Sequence, residues 1–127
     1  MARKKTLGPT DRELAILGVL WDKGPSSVRD VHEALQRDEE TGYTTTLKLM
    51  QIMVDKGLLV REDAGRRHVY RPTDSEERTQ KQLIGNLLER AFAGSAEKLV
   101  MRALSARRVS PKELERIRQM LDEMEGR

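Results

Sequence analysis

The chain has 127 residues, a formal net charge of +3, 37% hydrophobic and 35% charged residues, and few aromatics, which fits one ordinary helix-rich soluble domain or two very small ones. It has no cysteine, which excludes disulfides and thiolate metal sites and fits a cytoplasmic protein. No apolar run nears the roughly 18–20 residues of a membrane span, and the basic start Met1-Ala2-Arg3-Lys4-Lys5 lacks the apolar stretch of a signal peptide. Such a charge permits nucleic-acid binding without demanding it, so placement matters more than total. Arg3, Lys4 and Lys5 cluster at the start, Arg66, Arg67 and Arg71 in the middle, and the acids between them gather in Asp38-Glu39-Glu40.

A first helix is expected over residues 11–22. Thr10 and Glu13 make a capping-box pair that satisfies two orphan amides at its start. Leu14, Leu17, Gly18 and Trp21, with Leu20 beside them, form its core face, and Trp21 reads as a core anchor. Gly24-Pro25 ends this helix, and Ser27 is the expected N-cap of a second over residues 28–36. Val28, Val31 and Leu35 line its inner side. Asp38-Glu39-Glu40-Thr41-Gly42 is then a polar loop leading to the third helix.

That third helix, over residues 43–56, has two chemically different faces. Thr44, Lys48 and Gln51 fall at i, i+4 and i+7, a stripe of hydroxyl, ammonium and amide groups. Thr46, Leu49, Met50 and Met53 make the opposite, mostly apolar stripe. Polar groups of the first kind suit phosphate oxygens and base edges. Taken alone, however, the same pattern describes any amphipathic helix with a wet face.

Its setting changes that reading. Gly57 is the expected C-terminal residue. Two β-prone runs follow, residues 58–62 and 67–71, flanking Asp63-Ala64-Gly65-Arg66 and closed by Pro72. Three short helices followed by an arginine-tipped hairpin is the winged-helix arrangement, in which the third helix enters the major groove and the hairpin lies along the backbone or minor groove. The expected DNA-contacting residues are Tyr43, Thr44, Thr45, Lys48 and Gln51 on the helix, Arg66 and Arg67 on the wing, and Arg3, Lys4 and Lys5 at the start.

The remaining third reads as helices only. Thr73 and Glu76 form another capping-box pair, opening a fourth helix whose Leu83, Ile84, Leu87, Leu88, Ala91 and Phe92 make a broad apolar face. Gly94-Ser95 interrupts it. A fifth helix over residues 96–106 carries Leu99, Val100, Ala103 and Leu104. A sixth has Ser110 as N-cap, Pro111 at its first position, Glu113 at N3 and a Val109–Leu114 staple, with Leu114, Ile117, Leu121 and Met124 along one stripe. Some 55 residues make a marginal isolated core, so these stripes are expected to be completed by a second copy. The competing arrangement folds these helices back on the winged helix in a monomer. The expected organisation is therefore a winged helix-turn-helix over residues 1–72 and a three-helix dimerisation region over residues 73–127. Leu83, Leu87, Leu88, Phe92, Leu99, Leu104, Leu114, Ile117 and Leu121 would lie at the dimer interface.

Nothing in the chain assembles a reactive constellation. His32 and His68 fall on different elements, and no second histidine follows His32 at metal-binding spacing. No glycine-rich phosphate loop or nucleophile elbow is present. No enzyme activity, metal or cofactor is expected.

The order Thr10-Asp11-Arg12-Glu13-Leu14, Val19-Leu20-Trp21, Val28-Arg29-Asp30-Val31, Tyr43-Thr44-Thr45, Lys56-Gly57-Leu58-Leu59 and Tyr70-Arg71-Pro72 resembles the penicillinase and methicillin-resistance repressor family (BlaI/MecI/CopY) over nearly the whole chain. The resemblance implies a homodimeric repressor of transcription with an N-terminal winged helix and a C-terminal helical dimerisation region. It further implies a palindromic operator in double-stranded DNA and, as a partner, a membrane metallopeptidase sensor or another protease that releases repression. Tyr43, Thr44 and Thr45 match the start of the family's reading helix, and Arg66-Arg67 match its wing. Lys48 stands where threonine is frequent, and Ile52 replaces a basic residue. Antibiotic-responsive members are cleaved at an Asn-Phe bond. The bond aligned here is Arg102-Ala103, so that protease specificity does not carry over. Copper-responsive members bind metal through C-terminal cysteines, which this chain lacks. The rival reading is a winged helix serving as a protein-interaction module without specific DNA binding, because fold alone does not fix function.

Overall fold

A computed structural model describes residues 8–35 and 42–126. Arg3, Lys4, Lys5 and the acidic loop around Glu39 lie outside the described residues. The chain falls into two compact units, residues 1–85 and 86–127, each described by itself.

In the first unit, α1 (Asp11–Lys23) starts on a complete capping box. The Thr10 N–H donates to Glu13 Oε1 at 2.9 Å, and the Glu13 N–H to Thr10 Oγ1 at 3.2 Å. α2 (Val28–Leu35) follows a short turn, with the Asp30 N–H donating to Ser27 Oγ. α3 (Tyr43–Asp55) ends in a Schellman motif. The Gly57 N–H bonds the Val54 carbonyl, and the Leu58 N–H bonds that of Met53. Gly57 has φ 85°, which a residue with a Cβ adopts only under strain.

β1 (Leu59–Ala64) and β2 (Arg67–Pro72) pair antiparallel, with Leu59 opposite Pro72 and Ala64 opposite Arg67. The two-residue turn places Gly65 first with φ 68°, the pattern of a type II′ hairpin. An isolated bridge, invisible to periodicity, ties a further segment to this two-stranded sheet. Ser26 bridges Tyr70, each N–H donating to the other's carbonyl at 3.1 and 2.8 Å. The turn between α1 and α2 is thereby bonded to the hairpin.

The core gathers Ile16, Leu17 and Leu20 of α1, Val28 and Val31 of α2, Met50 and Met53 of α3, Leu59 of β1 and Tyr70 of β2. The expected inner face of α1 is thus rotated. Gly18 is exposed and Leu14 and Trp21 are half-buried, while Ile16 and Glu13 point inward. Glu13 accepts that place because its carboxylate is fully partnered. Trp21 is more latch than plug, its indole N–H donating to the Asp74 carbonyl at 3.1 Å.

α4 (Glu76–Ala91) is capped by Ser75 rather than Thr73. Ser75 Oγ accepts from the Arg78 N–H, and its carbonyl accepts from the Thr79 N–H. Thr73 stays with the hairpin, its N–H donating to the Leu58 carbonyl at 3.0 Å. Pro72 closes the hairpin, while the first unit continues to Gly85, with Thr79 buried within it.

In the second unit, α5 (Ala96–Ala106) is capped by Ser95 and α6 (Pro111–Met124) by Ser110, with Pro111 at N1. Neither helix contains a buried residue. Val100, Met101, Met120, Leu121 and Met124 are exposed, and Leu99, Leu104, Leu114 and Ile117 are only half-buried.

Candidate nucleic-acid interface

The exposed side of α3 is set by what the helix buries. Thr46, Met50 and Met53 lie in the core, and Leu49 is half-buried. This leaves Thr44, Thr45, Lys48 and Gln51 exposed together, with Tyr43 at the first position. Ile52 is 40% exposed and sits one turn beyond Lys48, so a bare apolar side chain shares this face.

The helix is held at both ends. At its start, Thr46 Oγ1 lies 3.2 Å from His32 Nδ1 of α2, and the His32 ring meets Tyr43 edge-on, centroids 5.8 Å apart. The Arg29 guanidinium lies over the Tyr43 ring, 5.8 Å from its centroid. At its end, Lys56 Nζ donates to Glu13 Oε2 at 2.8 Å. Burial pushes the Glu13 carboxyl up, but the Lys56 hydrogen bond, the Thr10 backbone N–H and the Lys56 charge outweigh it and hold the group below its ordinary value. The pitch of α3 is therefore referred to α2 at one end and α1 at the other.

The wing places its arginines unequally. Arg66 is exposed in the turn, with no carboxylate partner among the described residues. Arg67 reaches back to α2, its Nη2 lying 3.4 Å from Asp30 Oδ2 and 3.3 Å from Ser27 Oγ. Arg71 Nε donates to Glu62 across the hairpin at 2.8 Å, and His68 is taken up by Asp63 at 2.7 Å. Between the start of α2, the start of α3 and the wing lies an open cleft of about 400 Å³ whose walls include Ser27, Arg29, Tyr43, Arg67 and His68.

Tyr43, Thr44, Thr45, Lys48, Gln51, Arg66 and Arg67 thus all belong to the first unit and are all exposed. Arg3, Lys4 and Lys5 lie outside the described residues. Sequence reasoning passed over Arg29 and the Glu13–Lys56 pair. Arg29 stands at i−2 from Val31 on a helix with an apolar inner face, so its outward direction was readable, but its partner Tyr43 lies across a loop. The sequence marks Glu13 as part of the cap, and it completes the capping box with Thr10. That it also receives Lys56 depends on how α1 and α3 pack.

Groups of this kind on one face can donate to phosphate oxygens and exchange hydrogen bonds with base edges. His32 and His68 bond Thr46 and Asp63 on separate elements. No helix among the described residues is long and apolar enough to cross a membrane.

Comparison with known proteins bears on the whole chain. The family model described as Penicillinase repressor matches residues 9–123. A Mycobacterium tuberculosis protein described as Transcriptional regulator BlaI is 31% identical over 128 aligned positions, covering 99% of this chain and 90% of the relative. The Bacillus licheniformis Penicillinase repressor is 24% identical, covering 98% and 97%. Among solved structures, a MarR family protein from Bacillus stearothermophilus superimposes with a TM-score of 0.51 at 16% identity, over 93% of this chain and 74% of that one. This last likeness is one of fold.

Proposed function

The chain belongs to the penicillinase repressor (BlaI/MecI/CopY) family of transcriptional regulators, and on that premise we propose that it acts as a homodimeric repressor on a dyad operator. Each protomer sets α3 in the major groove of one half-site and lays the wing along the backbone. The family is one of regulators and not of enzymes. The observation that carries the reading is the division of α3. Thr46, Met50 and Met53 are consumed by the core, and Thr44, Thr45, Lys48 and Gln51 stand clear of it, while Arg66 at the wing turn is exposed with no carboxylate partner among the described residues.

Dimerisation rests on the second unit. Helices with no buried residue and a row of exposed Val100, Met101, Met120, Leu121 and Met124 do not make a stable core by themselves. A second copy offering the same stripes would cover them and set two reading helices against one palindrome.

Release by a membrane metallopeptidase sensor or another protease completes the proposal. Arg102-Ala103 lies inside α5, so any cleavage at that bond would require local opening of the helix first.

The test is a salt titration of binding to DNA from the region upstream of the chain's own gene. Affinity should fall steeply with rising salt, and an unrelated duplex should bind far more weakly at every salt. Binding with no salt dependence, or equal binding to both duplexes, would favour the protein-interaction module.

A further inference from the structure

We propose that Arg29, held over Tyr43, is a phosphate-contact residue, and that the cleft it shares with Arg67 seats one phosphodiester of the operator backbone. The inference rests on the DNA-binding reading above and adds to it a residue on α2, outside the reading helix and the wing.

Three features of Arg29 carry it. The side chain is exposed, and no carboxylate is paired with it among the described residues. Its guanidinium is stationed over an aromatic ring rather than free to sweep solvent, 5.8 Å from the Tyr43 centroid. A cation–π contact of that kind takes up none of the guanidinium's N–H donors in a hydrogen bond and leaves them for a ligand. Those donors suit two oxygens of one phosphate better than a point charge would. The ring is itself braced edge-on by His32, so the platform is fixed from α2 and α3 together.

The cleft supplies the complement. Arg67 is on its other wall, shared between Asp30 at 3.4 Å and Ser27 at 3.3 Å, both long contacts between exposed groups. Among the described residues, Arg29 and Arg67 line the cleft and no carboxylate does. His68 adds little, being engaged with Asp63. Exposed ion pairs of this kind are weak, so a phosphate can draw Arg67 from Asp30. Arg29 is then the cation already in place, and Arg67 the one recruited. Because Tyr43 is the first residue of α3, a phosphate held here would register the reading helix along the groove.

The experiment compares wild type, R29A, R29K and Y43L on operator and unrelated duplexes across a salt series, with melting temperatures alongside. R29A should flatten the slope of log affinity against log salt by at most about 0.9, the value for one phosphate left wholly unneutralised, and weaken both duplexes by the same factor. R29K should keep the slope and lose part of the affinity, and Y43L should keep most of the slope. In a scan of single methylphosphonate substitutions, wild type should lose affinity at one position per half-site where R29A, left with Arg67 alone, loses markedly less. This pairing remains readable even where a variant lowers the melting temperature. Equal sensitivity of wild type and R29A to neutralisation at every phosphate overturns the proposal while leaving the repressor reading intact. Failure of wild type to bind any duplex overturns both.

Discussion

Lys56→Met tests how α3 is held. The substitution keeps the aliphatic stem and removes the ammonium, leaving Glu13, 2% exposed, without its cation. Removing one member of a fully buried pair typically costs about 3–5 kcal/mol. Lys56 is 46% exposed, so water reaches the bond and the loss should approach that of one charged hydrogen bond, roughly 2 kcal/mol. For a folding unit of this size that corresponds to a fall in Tm of roughly 8–16 °C at neutral pH. The pH dependence is the sharper signature. The Glu13 carboxyl is held below its ordinary 4.5 in the folded chain, so its contribution is complete above that value and lost as pH falls through the folded one. In Lys56→Met the hydrogen bond and charge of Lys56 are lost while the Thr10 hydrogen bonds remain, so the depression lessens and protonation relieves the buried charge. The stability gap between the two proteins, measured by urea denaturation, should therefore be widest near pH 7 and shrink steadily below about pH 4.5. A gap under about 0.5 kcal/mol at pH 7, within the range of ordinary surface changes, or one independent of pH, would refute the reasoning.

Three further outcomes are expected. Thr45→Ala and Lys48→Ala should change which operator variants bind best, by about 1–3 kcal/mol for each lost base contact, in a binding assay over singly mutated sites; uniform weakening would make both backbone contacts. Arg66→Ala should flatten the salt slope by about one unit, whereas Arg67→Ala, already engaged with Asp30 in the free protein, should have the smaller effect on affinity. Leu121→Asp, at an exposed apolar position of α6, should leave the melting of the first unit unchanged while yielding a monomer in sedimentation and much weaker operator binding; a dimer that survives it places the interface elsewhere.

Much of this architecture is written in local signals. The Thr10–Glu13 box, the glycine after α3, the Gly65 turn and the Ser110-Pro111 start of α6 each act within a few residues, so the sequence displays them directly. The polar and apolar stripes of α3 are likewise a matter of helical period, and its core side is Thr46, Met50 and Met53. What escaped depends on distant partners. Ser26 bridges to the hairpin because Tyr70 stands opposite, Thr73 is tied to Leu58 at the end of the hairpin while Ser75 caps α4, and Glu13 turns inward because Lys56 meets it. At the candidate interface the exposed residues were legible, but their engagement was not. Arg66 and Arg67 look alike in sequence, yet one is free of carboxylates among the described residues and the other leans on Asp30. Arg29 looks like a solvated helix residue until Tyr43 is placed beneath it.

Hydroxyl-radical footprinting of the full chain on DNA upstream of its own gene tests the central claim most directly. Two protected patches related by a dyad are expected, on one face of the duplex and separated by a whole number of helical turns of about 10–10.5 base pairs. Protection should disappear as salt is raised. A single patch without symmetry would contradict the dimeric arrangement, and a duplex without protection at low salt would contradict the repressor itself.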